Sequence, residues 1–379
     1  MPSIDRIEAH VFNVSSKTNW IFLALTDSHG RTAWGEASLI GWEPLLVEAT
    51  RQLERDWQGK PLDLALTSMR ASPQSPGGLV FNTAVSACQQ ALLCLVGHEK
   101  LPTLQRNSVP AYANINRATQ QRTPQGFVDT ALRARAKGFT RFKAAPFDKL
   151  TPALCTTDEG AKLISHGVDC MLALRDALGP DALLMVDCHW RFDETRALTA
   201  LKALTPALLH WFECPIAENH AHWPATRRIR NAARDQSVLL AAAETQVGLA
   251  SFKMLFDEGL YDVVMPDVKY CGGPLEMLRI AEQAQEQGVH FSPHNPSGPV
   301  CTWHSIQVAA MAPACEMLEL QFDESPLYDQ LFDTASIQPI QGEFKIGAAY
   351  ATAPNLNAQL FQAHPHQSVP PGIETLLNR

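Results

Sequence analysis

The sequence predicts an α/β protein in which a small α+β unit precedes a closed parallel (β/α) barrel. Eight short apolar or β-branched runs recur between Val109 and Phe322, and helical patterns separate several of them. Strands that alternate with helices in this way are typical of parallel sheets that close into barrels. The residues before Val109 follow a different order, with strand patterns first and helical patterns afterwards. A chain of 379 residues is also long enough for two structural units.

The N-terminal unit begins with the pattern of a β-meander. Ile4–Val14 alternates loosely between apolar and polar residues, and Trp20–Thr26 is rich in β-prone residues. Asp27–Gly30 has turn composition and Arg31–Ala37 returns as a third strand. Apolar residues at helical spacing follow, most clearly over Ala84–Val96. We therefore expect three strands and then helices in this unit.

The barrel is predicted from runs that repeat along the middle of the chain. The predicted strands cover residues 109–115, 139–145, 182–190, 208–214, 238–244, 262–269, 289–294 and 317–322. Helical patterns between them are visible over Thr123–Ala136, Thr195–Leu204, Ala250–Glu258 and Pro274–Gln287. The chain after Ile346 is expected to pack back on the first unit. The expected division is 1–115 for the α+β unit, 116–345 for the barrel and 346–379 for the C-terminal segment.

Composition excludes several classes of protein. Apolar residues make up 46% of the chain, charged residues 18%, and the net charge is −8, so the basic surface of a nucleic-acid-binding protein is not expected. The first residues lack the pattern of a signal peptide, and no apolar run approaches the ~20 residues of a membrane span. We therefore expect a cytoplasmic protein. The nine cysteines are scattered without a C-x-x-C pair, which predicts reduced packing residues.

Ionisable residues follow almost every predicted barrel strand. The carboxyl ends of barrel strands carry the reactive residues of such enzymes, because the loops after the strands form the mouth. The candidates there are Lys143, Asp187, His189, Glu213, Glu244, Asp267, Lys269, His294 and Glu319. An active site at this mouth is the expected consequence.

Asp187, Glu213 and Glu244 follow three neighbouring strands, one βα unit apart. Three carboxylates that converge without a cation would raise each other's pKa, and their burial would add a desolvation cost. A divalent cation removes this conflict, and oxygen ligands favour Mg²⁺, with Mn²⁺ as a possible substitute. The alternative is that each acid forms an isolated salt bridge.

Asp267 and His294 follow the next two strands. A carboxylate beside an imidazole fixes the tautomer and raises the imidazole pKa, which suits a general base or acid; the alternative is a structural histidine. Residues i and i+2 of a strand share a face, so His189 is predicted beside Asp187, and Lys269 beside Asp267 if the strand continues that far. His189 would then either assist departure of a hydroxyl or orient the metal ligand.

The two lysines each have two interpretations. Lys269 either binds a substrate anion or pairs with Asp267. Lys143 either neutralises carboxylate oxygens of the substrate or forms a salt bridge inside the barrel.

Six motifs together resemble the enolase superfamily, specifically its mandelate racemase-like branch. They are WGEAS (34–38), VDCHW (186–190), WFECP (211–215), AAAET (241–245), MPDVKYCGG (265–273) and SPHNPSGP (292–299). The resemblance covers nearly the whole chain and implies a modified (β/α)7β TIM-like barrel with an N-terminal α+β capping domain. It also implies Mg²⁺ on Asp187, Glu213 and Glu244, and an Asp267–His294 dyad that abstracts the proton next to a carboxylate.

Within this branch, VDCHW is most similar to sugar-acid dehydratases such as galactonate dehydratase, in which the histidine matching His189 is the acid. The racemases of the branch carry a Lys-x-Lys pair, whereas here Lys143 is followed by Ala145, which argues against two-base racemisation. Glu319 matches the glutamate that donates a hydrogen bond to the intermediate if its strand is in register. A shift by one residue would place Leu320 there.

The predicted activity is that of a Mg²⁺-dependent carbon–oxygen lyase (hydro-lyase) that dehydrates a sugar acid to a 2-keto-3-deoxy acid. The alternatives are a racemase or epimerase of an α-hydroxy acid and a non-catalytic carboxylate-binding barrel. The resemblance places substrate specificity in capping-domain loops, here Ser15–Trp20 and Leu39–Glu43, so Trp20 and Trp42 are predicted to contact the substrate. We expect a small-molecule partner and a homo-oligomer, with no nucleic acid or membrane partner.

Overall fold

The computed structural model describes residues 1–97, 101–332, 337–347, 353–357 and 359–369. The N-terminal part is a three-stranded antiparallel sheet in the order β1-β2-β3, backed by helices. Its elements are β1 (Ile4–Ser15), β2 (Thr18–Asp27), β3 (Thr32–Glu36), α1 (Glu43–Trp57), α2 (Leu62–Ser68) and α3 (Gly78–Val96). The expected meander and the helix pattern at Ala84–Val96 are confirmed.

The turn between β2 and β3 is held by the Asp27 carboxylate, which accepts hydrogen bonds from the backbone N–H groups of His29 (2.9 Å) and Arg31 (3.0 Å). Helix α3 is long and apolar enough to span a membrane, but most of its residues are buried inside the protein. It packs against α1 and the sheet. This N-terminal part, from β1 to α3, is called the cap below, and α3 is its core helix.

Eight parallel strands form the barrel. They are β4 (Ser108–Asn114), β5 (Arg141–Ala144), β6 (Leu183–Asp187), β7 (Trp211–Glu213), β8 (Leu239–Ala242), β9 (Val263–Val264), β10 (His290–Phe291) and β11 (Leu318–Gln321). Consecutive strands pair from β4 to β10, and β11 pairs with β4. A parallel bridge between Phe291 and Cys315 joins β10 to the segment entering β11, so the ring closes.

One helix follows each of the first seven barrel strands, which gives the predicted (β/α)7β order. The helices are α4 (Pro124–Ala136), α5 (Asp158–Leu178), α6 (Glu194–Ala203), α7 (Trp223–Arg234), α8 (Gly248–Asp257), α9 (Pro274–Glu286) and α10 (Pro299–Met311). Three of them begin at side chains that accept a hydrogen bond from a backbone N–H of the first turn: Thr123, Thr157 and Asp193. Such caps satisfy donors that have no partner within the helix.

After β11 come α11 (Leu327–Gln330), β12 (Glu343–Lys345), which pairs antiparallel with β4 of the barrel, and α12 (Gln359–Ala363). Two described residues after Ile346, Phe361 and His364, contact the cap. Phe361 stacks on Trp34 with ring centroids 5.8 Å apart. The carbonyl of His364 accepts a hydrogen bond from the backbone N–H of Asn13 at 3.0 Å.

All nine cysteines are free, eight of them buried and Cys94 half-buried. Their burial confirms the prediction that most of them are packing residues. The acidic side chain of Glu36 joins the cap to the barrel: it accepts hydrogen bonds from the backbone N–H groups of Gly298 (2.7 Å) and Cys301 (3.0 Å), where α10 begins. A Cβ on Gly298 would lie 2.9 Å from Glu36 Oε1 and 3.0 Å from the Trp20 ring, so this interface needs glycine.

Candidate active site at the barrel mouth

The three predicted metal ligands lie next to one another at the mouth. Asp187 and Glu213 end neighbouring strands and are direct register partners. Glu244 follows two residues after the end of β8. Their exposed fractions are 3%, 0% and 1%, so three carboxylates are buried at the same end of the barrel.

The backbone around these ligands adopts left-handed conformations that side chains other than glycine rarely adopt. φ is +47° at His189, +55° at Trp190, +44° at Cys214 and +81° at Ala243. His189 and Trp190 closely follow Asp187, Cys214 directly follows Glu213, and Ala243 directly precedes Glu244. Strained backbone of this kind persists only where the surroundings hold it, and it is concentrated at functional sites.

A cationic or imidazole side chain contacts each of the three carboxylates. His189 Nε2 lies 2.6 Å from Asp187 Oδ2, and His294 Nε2 lies 3.4 Å from Glu244 Oε2. Burial alone would raise the pKa of Asp187, but the charge and hydrogen bonds of His189 lower it to about 2. Asp187 is therefore held as a carboxylate.

The ammonium of Lys143 bridges two glutamates, lying 2.6 Å from Glu213 Oε1 and 2.9 Å from Glu319 Oε1. The other oxygen of Glu213 accepts the indole N–H of Trp211 at 2.8 Å. Burial raises the pKa of Glu213 to about 8, helped by the charges of Asp187 and Glu319 and opposed by Lys143. The site thus concentrates more negative charge than one ammonium balances.

The predicted dyad is present on the other side of the mouth. His294 Nδ1 lies 2.7 Å from Asp267 Oδ2, and the ammonium of Lys269 lies 2.5 Å from the same oxygen. Lys269 also contacts the hydroxyl of Ser297. Burial would raise the pKa of Asp267, but Lys269 and His294 together lower it. Asp267 is therefore ionised and accepts a hydrogen bond from the imidazole.

The register of β11 directs Glu319 into the site. Besides Lys143, its carboxylate accepts the side-chain amide of Asn114 at 2.6 Å and the backbone N–H of Asn295 at 2.9 Å. Leu320 packs in the hydrophobic core instead. The alternative in which Leu320 takes the inward position is therefore wrong.

His189 and Lys269 lie beside Asp187 and Asp267, where they were predicted. The reason given for that prediction, a shared strand face, is wrong. Strand β6 ends at Asp187 and β9 already at Val264, so neither residue lies on the predicted strand. His189 returns to Asp187 because its backbone turns left-handed. Lys269 returns because its backbone N–H donates to Asp267 Oδ1 at 2.8 Å.

Several residues of the site were not predicted. They are Trp211, Asn114, Asn295 and Ser297, which contact Glu213, Glu319 and Lys269. Strand spacing could have indicated Trp211, because it lies two residues before Glu213 and shares its face. Asn114 ends β4 and satisfies the strand-end criterion, but amides were not counted among the candidates.

The two predicted substrate-contacting tryptophans lie in different cavities. Trp20 lines a small cavity between the cap and the barrel, which Lys269 also lines. Trp42 lines a groove of about 500 Å³ formed by α1 and the start of α3. Only Trp20 therefore shares a cavity with a candidate residue of the barrel mouth.

The donor atoms of the carboxylate trio suit a hard divalent cation, since all are oxygens and the site carries excess negative charge. Among the described residues, however, no three His, Cys, Asp or Glu side chains are arranged as a metal-binding group. The carboxylates instead contact His189, Lys143 and His294. Metal binding at the trio would have to replace part of these contacts.

The protein is thus a capped (β/α)7β barrel. Its mouth carries three acidic side chains at or just after strand ends, together with an Asp–His dyad. The chain belongs to the enolase superfamily, because the family model "Enolase C-terminal domain-like" matches residues 126–349.

The relatives it resembles include sugar-acid dehydratases. D-gluconate dehydratase from Thermoproteus tenax is 26% identical over 99% of this chain and 77% of that protein. D-galactonate dehydratase from Variovorax paradoxus is 27% identical over 80% of this chain and 78% of that protein.

Solved structures share the fold. A mandelate racemase/muconate lactonizing enzyme from Sulfitobacter sp. aligns with a TM-score of 0.83 at 22% identity, over 98% of this chain and all of that one. A second, from Jannaschia sp. CCS1, aligns with a TM-score of 0.83 at 20% identity, over 97% and 99%.

Proposed function

We propose that the protein is a Mg²⁺-dependent dehydratase of a sugar acid. The observation that carries the proposal is that two imidazoles contact different members of one buried carboxylate trio, His189 at Asp187 and His294 at Glu244. His294 is oriented by Asp267, and His189 by Asp187. One imidazole can therefore remove a proton while the other supplies one. The names of the related sugar-acid dehydratases support the same class of reaction.

Asp187, Glu213 and Glu244 would hold Mg²⁺, which acts as a Lewis acid toward the carboxylate of the substrate. The remaining chemistry belongs to side chains. With a neutral imidazole, the N–H at Nδ1 of His294 donates to the Asp267 carboxylate, so Nε2 carries the free lone pair of the base. This atom would take the proton from the carbon next to the carboxylate, leaving an enediolate.

Lys143 would stabilise the charge of the enediolate. Its ammonium is buried between Glu213 and Glu319, and the charges of these glutamates raise its pKa although burial opposes this. Lys143 therefore stays protonated and positive throughout the reaction. A fixed positive charge in a water-poor site contributes more than the same charge in water.

His189 would protonate the departing β-hydroxyl. The enol that remains would tautomerise to a 2-keto-3-deoxy acid, which makes the enzyme a hydro-lyase. Racemisation would need a second base on β5, but the residue two positions after Lys143 is the buried Ala145. The cytoplasmic location and the homo-oligomer stay predictions.

The test is a screen of mono- and diacid sugars for release of a 2-keto acid, with Mg²⁺ and after chelation. We expect turnover of at least one sugar acid with Mg²⁺ and none after chelation. Glu213→Gln should abolish turnover while the circular dichroism spectrum is retained, because the residue acts at the mouth and not in core packing. Full activity of Glu213→Gln or of the chelated enzyme would refute the metal assignment.

A further inference from the structure

We propose that Glu218 is a positioning residue that holds together the three turns carrying the proposed metal ligands. Glu218 lies in the loop after β7, five residues beyond Glu213. It is neither one of the three ligands nor a residue that contacts the substrate. The inference rests on the proposed function, because the ligand assignment is part of that function.

The first of these turns follows Asp187. The indole N–H of Trp190 donates to Glu218 Oε1 at 2.7 Å. Trp190 is buried, and its backbone is left-handed with φ +55°. It directly follows His189, whose imidazole returns to Asp187. Glu218 therefore accepts a hydrogen bond from the segment that directs both the first ligand and the proposed acid.

The second and third turns carry the other two ligands. The thiol of Cys214, which directly follows Glu213, donates to Glu218 Oε1 at 3.5 Å. Burial raises the pKa of Glu218, and the backbone N–H of Ala243, which directly precedes Glu244, is among the donors that oppose this shift. The same carboxylate therefore faces one left-handed residue from each of the three ligand-bearing turns.

Backbone hydrogen bonds already connect the turns to one another. The N–H of Trp190 donates to the carbonyl of Cys214 at 2.6 Å, and the N–H of Cys214 donates to the carbonyl of Ala241 at 3.0 Å. Left-handed backbone is unfavourable for residues other than glycine and persists where surrounding contacts hold it. Glu218 supplies such a contact where the turns meet. Without it the turns can relax, and the ligand oxygens shift with them.

A carboxylate suits this position better than an amide. The indole, the thiol and the backbone N–H that face Glu218 are all donors, and a carboxylate accepts hydrogen bonds at both oxygens. Glutamine has the same shape and retains one acceptor, but its NH₂ group would stand among donors. Glu218→Gln therefore tests the contacts while leaving the volume of the side chain unchanged.

The first measurement is Mn²⁺ affinity by electron paramagnetic resonance, which does not require activity. Glu218→Gln should bind Mn²⁺ about 10–100-fold more weakly than the wild type, as is typical when a group that supports metal ligands is lost. Glu316→Gln is the matched control and should bind as the wild type does. Glu316 precedes β11 at the opposite end of the barrel and contacts His210. Like Glu218, it has one buried carboxylate oxygen without a hydrogen bond among the described residues.

The second measurement is amide hydrogen exchange of the metal-free protein, which reports on the turns themselves. In Glu218→Gln, exchange should become faster in residues 188–192, 214–219 and 241–246, and it should be unchanged there in Glu316→Gln. Trp190→Phe removes the indole donor but keeps an aromatic ring. It should change Mn²⁺ affinity and exchange in the same direction, and it decides the question if Glu218→Gln does not fold.

The proposal is overturned if Glu218→Gln and Trp190→Phe bind Mn²⁺ as tightly as the wild type, or if Glu316→Gln weakens binding equally. It is also overturned if faster exchange is confined to residues 214–219, because Glu218 would then order only its own loop. Absence of Mn²⁺ binding by the wild type would instead refute the metal assignment, and the exchange pattern would then decide the positioning role alone.

Discussion

His189 is the most exposed of the ionisable side chains at the site. Its side chain is 18% exposed, whereas those of Lys143, Asp187, Asp267 and His294 are between 1% and 6% exposed. An acid that assists departure of a hydroxyl has to reach the substrate from the mouth. The exposure of His189 therefore fits this role better than a purely supporting one.

We expect His189→Asn to lower the rate of elimination by about 10²–10⁴-fold, as is typical when one general acid is lost. The Asp267–His294 base remains, so the enediolate still forms. A substrate with fluoride in place of the β-hydroxyl needs little protonation to leave, and the variant should recover most of its rate on it. Equal losses on both substrates would show that His189 supports ligation or proton abstraction instead.

The candidate residues were predictable one by one because each is an ionisable group near the end of a strand pattern. The turns that bring these residues into contact were not predictable. His189 and Lys269 return to their aspartates through turns, and turn geometry leaves no periodic signal in the sequence. Asn295 contacts Glu319 through its backbone N–H, which residue type does not reveal.

Strand β7 supplies both a proposed metal ligand and the group that orients it. Trp211 and Glu213 share a face of the strand, and the indole N–H of Trp211 donates to Glu213 Oε2. The Trp211 ring meets Tyr112 edge-on, with centroids 5.5 Å apart. This aromatic pair forms part of the floor under the site and fixes the direction of one carboxylate oxygen.

Trp211→Phe should weaken Mn²⁺ binding by about 10–100-fold, as is typical when a hydrogen bond to a metal ligand is lost. The phenyl ring retains the contact with Tyr112, so the fold should be preserved. Electron paramagnetic resonance of free Mn²⁺ measures the affinity without reference to activity. Trp57→Phe, on α1 of the cap, is the control. Equal affinities for the wild type and Trp211→Phe would show that the hydrogen bond does not position Glu213.

At the level of elements, the eight barrel strands were predictable because each is an apolar run that breaks the helical period. Their lengths were not: β9 and β10 have two residues each, where longer runs were expected. The sequence of helix α10 shows no alternation of apolar and polar faces, because all 13 of its residues are buried. A helix buried on every side has no polar face.

The cap and the barrel meet at Glu36. Its carboxylate accepts two backbone N–H groups at the start of α10, next to the loop that carries His294. Burial raises the pKa of Glu36, while the hydrogen bonds from Cys301, Ser38 and Gly298 and the charge of Lys269 oppose the shift. The motif that contains Glu36 therefore couples the two halves of the molecule.

Glu36→Gln should lower the free energy of unfolding by about 1–3 kcal/mol, because charged hydrogen bonds at a buried position are weakened or lost. Urea denaturation measures this change. Glu48→Gln, on the exposed face of α1, serves as the control and should leave the midpoint unchanged. An unaltered midpoint for Glu36→Gln would show that this contact does not stabilise the assembled molecule.

The central claim is that the whole site removes a proton and then a hydroxyl. It is tested most directly by NMR of the reaction in D₂O with a sugar acid, Mg²⁺ and the wild-type protein. The account predicts a 2-keto-3-deoxy acid that carries deuterium at the former β-carbon, which lost its hydroxyl and then took a deuteron from solvent as the enol tautomerised. Deuterium that enters recovered substrate next to the carboxylate, with no keto acid released, would contradict dehydration and indicate a racemase or epimerase.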